Sequence, residues 1–264
     1  MKAKLILFIL SAALVAANCT SKKTHGEEVT YTANGVTMKG YIAYDPAIQG
    51  KRPGVIVVHE WWGNDAYSRK RADMLASLGY TALAVDMYGE GKRASNPDEA
   101  GKLAGEVKKN IELSKTRFDA AMDFLKSQAT VDASKIAAIG YCFGGGVALN
   151  NARLGADLKA VVSFHGDLTP AKAAEKGKVK ARLLVAQGGA DGFVPEKDVE
   201  AIKKEMADAG ADLTVTVYPG ATHVFTNPAA DEYAKQFKMP IAYNPDADKK
   251  SWEEMKGFLA AGLK

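Results

Sequence analysis

Four places in this sequence put a reactive side chain directly behind a short apolar run. They are His59-Glu60 after Val55–Val58, Cys142 after Ile136–Ile139, Asp191 after Arg182–Ala186, and His223 just after a run ending at Val217 and Tyr218. The most specific of them is Gly140-Tyr141-Cys142-Phe143-Gly144-Gly145. A nucleophile set on a sharp turn between a strand and a helix needs small residues two before and two after it, because larger Cβ atoms would collide there. The helix N-terminus beneath such a turn favours negative charge, which suits a thiolate and a developing oxyanion. The segment is not a phosphate-binding turn, since it has neither Gly-x-Gly-x-x-Gly spacing nor a Gly-Lys-Ser/Thr end. A buried structural cysteine is the plain alternative, cysteine being among the most buried residue types.

Asp191 and His223 supply what a cysteine nucleophile needs. The imidazole takes the thiol proton or holds an ion pair with the thiolate, and the carboxylate fixes its tautomer and stabilises the imidazolium. Taken singly, Asp191 reads equally as a turn former and His223 as a satisfied loop histidine. The order nucleophile, acid, histidine is nevertheless that of α/β-hydrolases. In His59-Glu60-Trp61-Trp62-Gly63, the Trp61 backbone N–H is placed to share an oxyanion with that of Phe143. Glu60 then lies within reach of the thiol as an additional base or partner. The alternative makes the tryptophans packing residues and Glu60 a surface charge. A metal set of His59, Glu60, His165 and His223 is conceivable, but the sequence has none of the close-spaced zinc patterns, so no metal is expected.

The elements that must position these groups follow from periodicity. Glu28–Thr32 and Thr37–Asp45 alternate around Asn34-Gly35 as a hairpin. Val55–Val58, Thr81–Val85, Ile136–Ile139, Ala160–Phe164, Arg182–Ala186 and Leu213–Val217 read as buried strands. Between and after them come helical patterns at Tyr67–Leu78, from Asn96-Pro97 to about Gln128, and at Gly144–Arg153, Glu196–Ala209 and Lys249–Leu263. Phe237–Ala247, with Pro240 and Pro245, reads as a surface loop that either lines a site mouth or packs. Strands separated by helices give an α/β domain with a mostly parallel sheet covered on both faces, and ligands at the carboxyl ends of the strands. The short Ala160-to-Arg182 connection leaves no room for a large lid.

The 264 residues are 47% hydrophobic and 25% charged, which excludes disordered, collagenous and coiled-coil chains. Their net charge of +4 includes Lys2 and Lys4. Without those two, 33 basic residues face 31 acidic ones, and nothing argues for nucleic acid. Met1–Lys4 is positive, and Leu5–Ala17 is apolar apart from Ser11 and closes on small residues, the order of a secretory signal over residues 1–18. Val15-Ala16-Ala17 fits cleavage before Asn18. Ala16-Ala17-Asn18-Cys19 resembles a lipobox, with Asn in place of the usual Gly or Ala, and a lipoprotein anchored through Cys19 is the preferred reading. Residues 19–27 then form a tether ahead of a domain over 28–264. The expected location is the periplasm or the membrane of a bacterial envelope, and the expected state is a monomer. With Cys19 lipidated, Cys142 is an unpaired thiol, which calls for a reason.

Together these motifs resemble the dienelactone hydrolase family of the α/β-hydrolase superfamily, from about Val29 to the C-terminal helix. The resemblance rests on His59-Glu60-Trp61-Trp62-Gly63, Asp86-Met87-Tyr88-Gly89, the Cys142 turn, Gly189-Ala190-Asp191 and Thr222-His223-Val224-Phe225. It implies a Cys142–His223–Asp191 triad helped by Glu60, an acyl-cysteine intermediate, and hydrolysis of a small ester or lactone without a cofactor. Family members that open dienelactones hold the substrate carboxylate with arginines. Here Tyr88 is followed by Lys92 and Arg93 as possible substitutes, and no arginine follows His223. The reaction class is kept and the named substrate is not. An acyltransferase or peptidase on the same triad, and a non-catalytic envelope binding protein, are the alternatives.

Overall fold

The computed structural model describes residues 24–264. The leader, Cys19 and most of the tether lie outside the described residues. The chain begins with a hairpin of β1 (His25–Ala33) and β2 (Val36–Tyr44), turned at Asn34-Gly35. Then follow β3 (Arg52–Val58), α1 (Ala66–Ser77), β4 (Thr81–Ala84), α2 (Pro97–Lys109), α3 (Ile111–Lys126), β5 (Val131–Tyr141), α4 (Phe143–Arg153) and β6 (Ala160–Phe164). The chain continues with β7 (Arg182–Gly188), α5 (Glu196–Ala209), β8 (Leu213–Tyr218), α6 (Ala230–Phe237) and α7 (Pro245–Gly262). The sheet order is β1-β2-β4-β3-β5-β6-β7-β8. The hairpin pairs antiparallel with itself and with β4, and every other neighbour is parallel.

Alternation along the parallel strands divides the core in two. Ile56, Val58, Ile136, Val161 and Leu183 face one layer, which includes Val107 of α2, Phe118 of α3, Leu149 of α4 and Ile202 of α5. Val55, Val57, Ile139, Val162 and Leu184 face the other, with Leu75 of α1 and Leu259 of α7. Successive side chains of a strand point to opposite faces, so unbroken β-branched runs are what a sheet covered on both sides requires. The expected α/β-hydrolase architecture is therefore present, with no large lid between β6 and β7.

Several boundaries differ from the sequence pattern. β1 starts at His25 because backbone pairing with β2 continues through His25–Tyr44 and Glu27–Ile42, which needs no apolar side chains. The helical region after Asn96 is two helices, broken at Asn110, whose side chain accepts from the Leu113 N–H and caps α3. The segment 237–247 is less loop than expected. It takes in the end of α6, a β-bridge from Ile241 to His223, and the start of α7 at Pro245 behind its Asn244 cap.

Candidate active site

The turn between β5 and α4 is as tight as its glycines suggest. Cys142 has φ +52°, a left-handed region that side chains other than glycine rarely adopt. A Cβ on Gly140 would lie 2.1 Å from the Gly144 carbonyl oxygen, and one on Gly144 would lie 2.3 Å from that of Val58. Strain of this kind persists where the surroundings over-determine it, and here three groups hold the turn from below. The Cys142 N–H donates to Phe164 O (3.0 Å) and to His165 Nδ1 (3.2 Å), and the Tyr141 ring stacks on Phe164 at 4.8 Å. Because Nδ1 accepts, the His165 proton is on Nε2, which donates to Thr226 Oγ1 at 2.7 Å. Burial keeps His165 far below the ordinary histidine range and therefore neutral. Phe143 is the first residue of α4, where an N–H has no intrahelical partner.

The loops after β7 and β8 bring the two partners to the sulfur. His223 Nε2 lies 3.2 Å from Cys142 Sγ, and its Nδ1 lies 2.8 Å from Asp191 Oδ2. Asp191 is held in turn by the N–H groups of Phe193 and Val194 on Oδ1 and by Gln187 Nε2 on Oδ2. Burial alone would depress the His223 pKa. The charge of Cys142, reinforced by the hydrogen bonds to Asp191 and Cys142, outweighs burial and raises it to about 10. The imidazole is thus held protonated at neutral pH, with its charge 3.2 Å from the sulfur.

The loop after β3 is fixed by His59, fully buried, whose Nδ1–H bonds Glu60 O and whose Nε2 accepts from the Met87 N–H. Tyr88, expected near substrate, instead donates its hydroxyl to Trp61 O at 2.9 Å and so fixes the peptide that joins Trp61 to Trp62. Among the described residues the Trp61 N–H donates to no other protein group. Glu60 is buried and makes no hydrogen bond to Cys142. Its Oε2 accepts from Asn227 Nδ2 at 2.8 Å, and its Oε1 has no partner among the described residues. Burial, with a smaller push from Asp65, raises its pKa to about 8, so the carboxyl is mostly protonated at neutral pH.

That protonation has a measurable sign. The unfolded chain ionises Glu60 near 4.5 and the folded one near 8, so each rise in pH between those values favours unfolding. Glu60→Gln removes this slope. The excess stability of the variant is expected to grow from pH 5 upward and level off above about pH 8, with a ceiling of about 5 kcal/mol. Thermal unfolding of both proteins between pH 5 and 9 checks it, and a pH-independent difference would show that Glu60 is ionised throughout.

Sequence reasoning missed the buried set behind this site. Tyr67 OH lies 2.6 Å from Thr226 Oγ1, and Arg71 reaches Tyr67 OH, Thr226 O (2.7 Å) and Asp248 (2.5 Å). The Arg71 guanidinium also lies over the rings of Tyr141 and Trp252. His165 was open to discovery, because it follows β6 as directly as the other reactive residues follow their strands.

A cavity of about 280 Å³ opens over Cys142, lined chiefly by Trp61, Phe143, Phe193, Val224, Met239 and Lys108. Lys92 and Arg93, the expected carboxylate ligands, are not part of it. Lys92 pairs with Glu90 on the surface (3.2 Å), and Arg93 lines a separate cavity with Trp62 and Tyr233. The reason is local: Gly89, Glu90 and Gly91 all have positive φ and turn the chain away from the site. The alternative metal set, disfavoured by the sequence, is not assembled among the described residues. The His59 and His165 ring nitrogens are taken by the partners above, and among the described residues no three His, Cys, Asp or Glu side chains converge as a metal-binding group.

Residues 38–263 match the model of a family described as the dienelactone hydrolase family. The chain is 35% identical over 224 residues to protein usf of Aquifex pyrophilus, covering 83% of this chain and 95% of that one. It is 33% identical over 246 residues to a protein of Aquifex aeolicus provisionally named carboxymethylenebutenolidase, covering 90% and 100%. The crystal structure of a dienelactone hydrolase-like promiscuous phosphotriesterase from metagenomic libraries, P91, superposes with a TM-score of 0.86 at 33% identity, over 91% of this chain and 99% of that one.

Proposed function

The chain belongs to the dienelactone hydrolase family and is a carboxylic-ester hydrolase; from that premise we propose that it cleaves small esters or lactones through an acyl-cysteine on Cys142. The observation that carries this reading is the line of contacts from Sγ to Nε2 (3.2 Å) and from Nδ1 to Oδ2 (2.8 Å), set on a strained turn.

In this reading the Cys142 thiolate attacks the carbonyl carbon, and the carbonyl oxygen becomes an oxyanion facing the free N–H groups of Phe143 and Trp61. The imidazolium of His223 gives its Nε2 proton to the departing alkoxide, while Asp191 holds Nδ1–H and stabilises the charge. Water then enters, His223 removes its proton, and the resulting hydroxide expels the thiolate and frees the acid. The Cys142 N–H is occupied by Phe164 and His165, which leaves the Phe143 N–H as the donor beside the sulfur. Glu60, uncharged at neutral pH and held by Asn227, places no second negative charge beside the developing oxyanion. Export through residues 1–18, with Cys19 as a lipid anchor, remains part of the proposal and is supported by the positive, apolar, small-residue order of the leader.

Intact mass after brief mixing with p-nitrophenyl acetate tests the chemistry. One acetyl group per chain on Cys142, formed in step with a nitrophenol burst and absent from Cys142→Ala, is the expected result. Equal nitrophenol release from both proteins without an adduct would overturn the nucleophile. Paraoxon is a useful second probe, because the thiolate that attacks carbon would also attack an activated phosphotriester, the substrate class named for P91.

A further inference from the structure

The cavity over Cys142 does not end at its own walls. A second cavity, of about 200 Å³, lies between α2, the start of α3, α4 and the loop after β6, with Val107, Ile111, Val147, Pro170 and Ala171 on its sides. Lys108, Phe143 and Asp167 line both. Lys108 Nζ and Asp167 Oδ2 are 2.7 Å apart where the cavities meet, and their side chains are 45% and 37% exposed. An ion pair this accessible to water is weak and opens readily. The nearer cavity alone falls short of the roughly 300–1,000 Å³ usual for small-molecule sites, and the two together reach that range.

Resting on the ester-hydrolase reading above, we propose that the two cavities form one substrate cleft for a neutral ester with an extended apolar arm, and that Lys108–Asp167 is a strap across it. Three observations support it. The far cavity has an aliphatic side made by Val107, Ile111, Val147, Pro170 and Ala171, with Ser114, Asn150 and Thr169 as its uncharged polar groups. Phe143 adjoins the nucleophile and belongs to both cavities, so an acyl group bonded to Sγ has a continuous apolar path inward. Among the described residues, the charged groups that line the two cavities beside the Cys142–His223 pair are Lys108 and Asp167, and they neutralise each other, which leaves no free cation for a substrate carboxylate.

The test is kcat/KM for p-nitrophenyl esters from acetate to octanoate, together with the p-nitrophenyl monoester of suberic acid, which has the same length but ends in a carboxylate. For the wild type, kcat/KM should rise with chain length by up to about fourfold per methylene, and the suberate monoester should fall at least tenfold below octanoate. Ile111→Trp, which fills the far cavity, should lower the octanoate-to-acetate ratio at least tenfold. Ala171→Trp does the same from the opposite wall should the first variant fold poorly. Asp167→Asn frees the Lys108 charge and should shift preference toward the suberate monoester at least tenfold, a change that loss of structure would not produce. A flat chain-length series in the wild type, or an octanoate-to-acetate ratio unmoved by filling the cavity, overturns the cleft. Absence of an acetyl adduct with the shortest ester instead overturns the thiol chemistry, so the two failures are distinguishable.

Discussion

Replacing Cys142 or His223 with alanine is expected to lower kcat for a good ester by about 10⁴- to 10⁶-fold, and replacing both should cost no more than replacing one. The sulfur and the imidazole are 3.2 Å apart, and in the proposed mechanism one proton is shared between them, so neither acts without the other. Without His223, the thiol loses the cation that stabilises its ionised form, and the alkoxide loses its proton donor. Without Cys142, the imidazole can at best deprotonate water, which lies farther from the carbonyl carbon than a covalently placed sulfur. What remains in each case is the binding and the pair of N–H donors at Phe143 and Trp61, which gives the single and double variants a common floor. Steady-state rates for the two single variants and the double variant settle it. Additive losses would mean that Cys142 and His223 act separately, and the ion-pair description would then be wrong.

The second large effect is on folding. Gly144→Ala is expected to destabilise by roughly 4 kcal/mol or more, since its Cβ would lie 2.3 Å from the Val58 carbonyl oxygen and 2.6 Å from that of His59. Backbone atoms in the central strand cannot move aside as a side-chain tip can. Gly140→Ala meets the Gly144 carbonyl at 2.1 Å and should behave alike. For a chain of this size such a loss lowers Tm by about 8 °C or more. Gly105→Ala in α2 is the matched control. Its Cβ meets nothing within 4 Å, and replacing a glycine inside a helix should raise stability by about 0.5–1 kcal/mol. The same chemical change thus has opposite signs at two positions, and calorimetry of the three variants reads both. Retention of wild-type Tm by Gly144→Ala would mean that the turn is looser than its geometry indicates.

The legible part of this molecule is the part written in local patterns. Short β-branched runs mark strands buried on both faces, and the rule that ligands gather at their carboxyl ends leads directly to Cys142, Asp191 and His223. The elbow glycines are legible for the same reason, since the clash they avoid is within a few residues. What escaped depends on closure in three dimensions. α6 is only eight residues long, and Tyr233 and Phe237 are held against Trp62, each more than 170 residues away in sequence. Glu60 looked like a partner for the thiol because it follows a strand, yet its hydrogen bond goes to Asn227, on the histidine loop. Lys92 and Arg93 looked like substrate ligands because they follow Tyr88, yet three consecutive left-handed residues reverse that proximity. Lys108 gave no signal, being one of several lysines on a helix until folding brings Asp167 beside it.

Arg71 has a consequence for the order in which the site is completed as the chain folds. Its guanidinium is buried between α1 and α7, bonded at once to the Thr226 carbonyl behind the histidine loop and to Asp248. Asp248 is in α7, made after every strand of the sheet and after all three residues Cys142, Asp191 and His223. Until α7 docks, Arg71 lacks the counter-charge of Asp248, and the loop that aims His223 at the sulfur lacks its rear support. The aim of His223 therefore depends on a helix that follows Cys142, Asp191 and His223 in sequence.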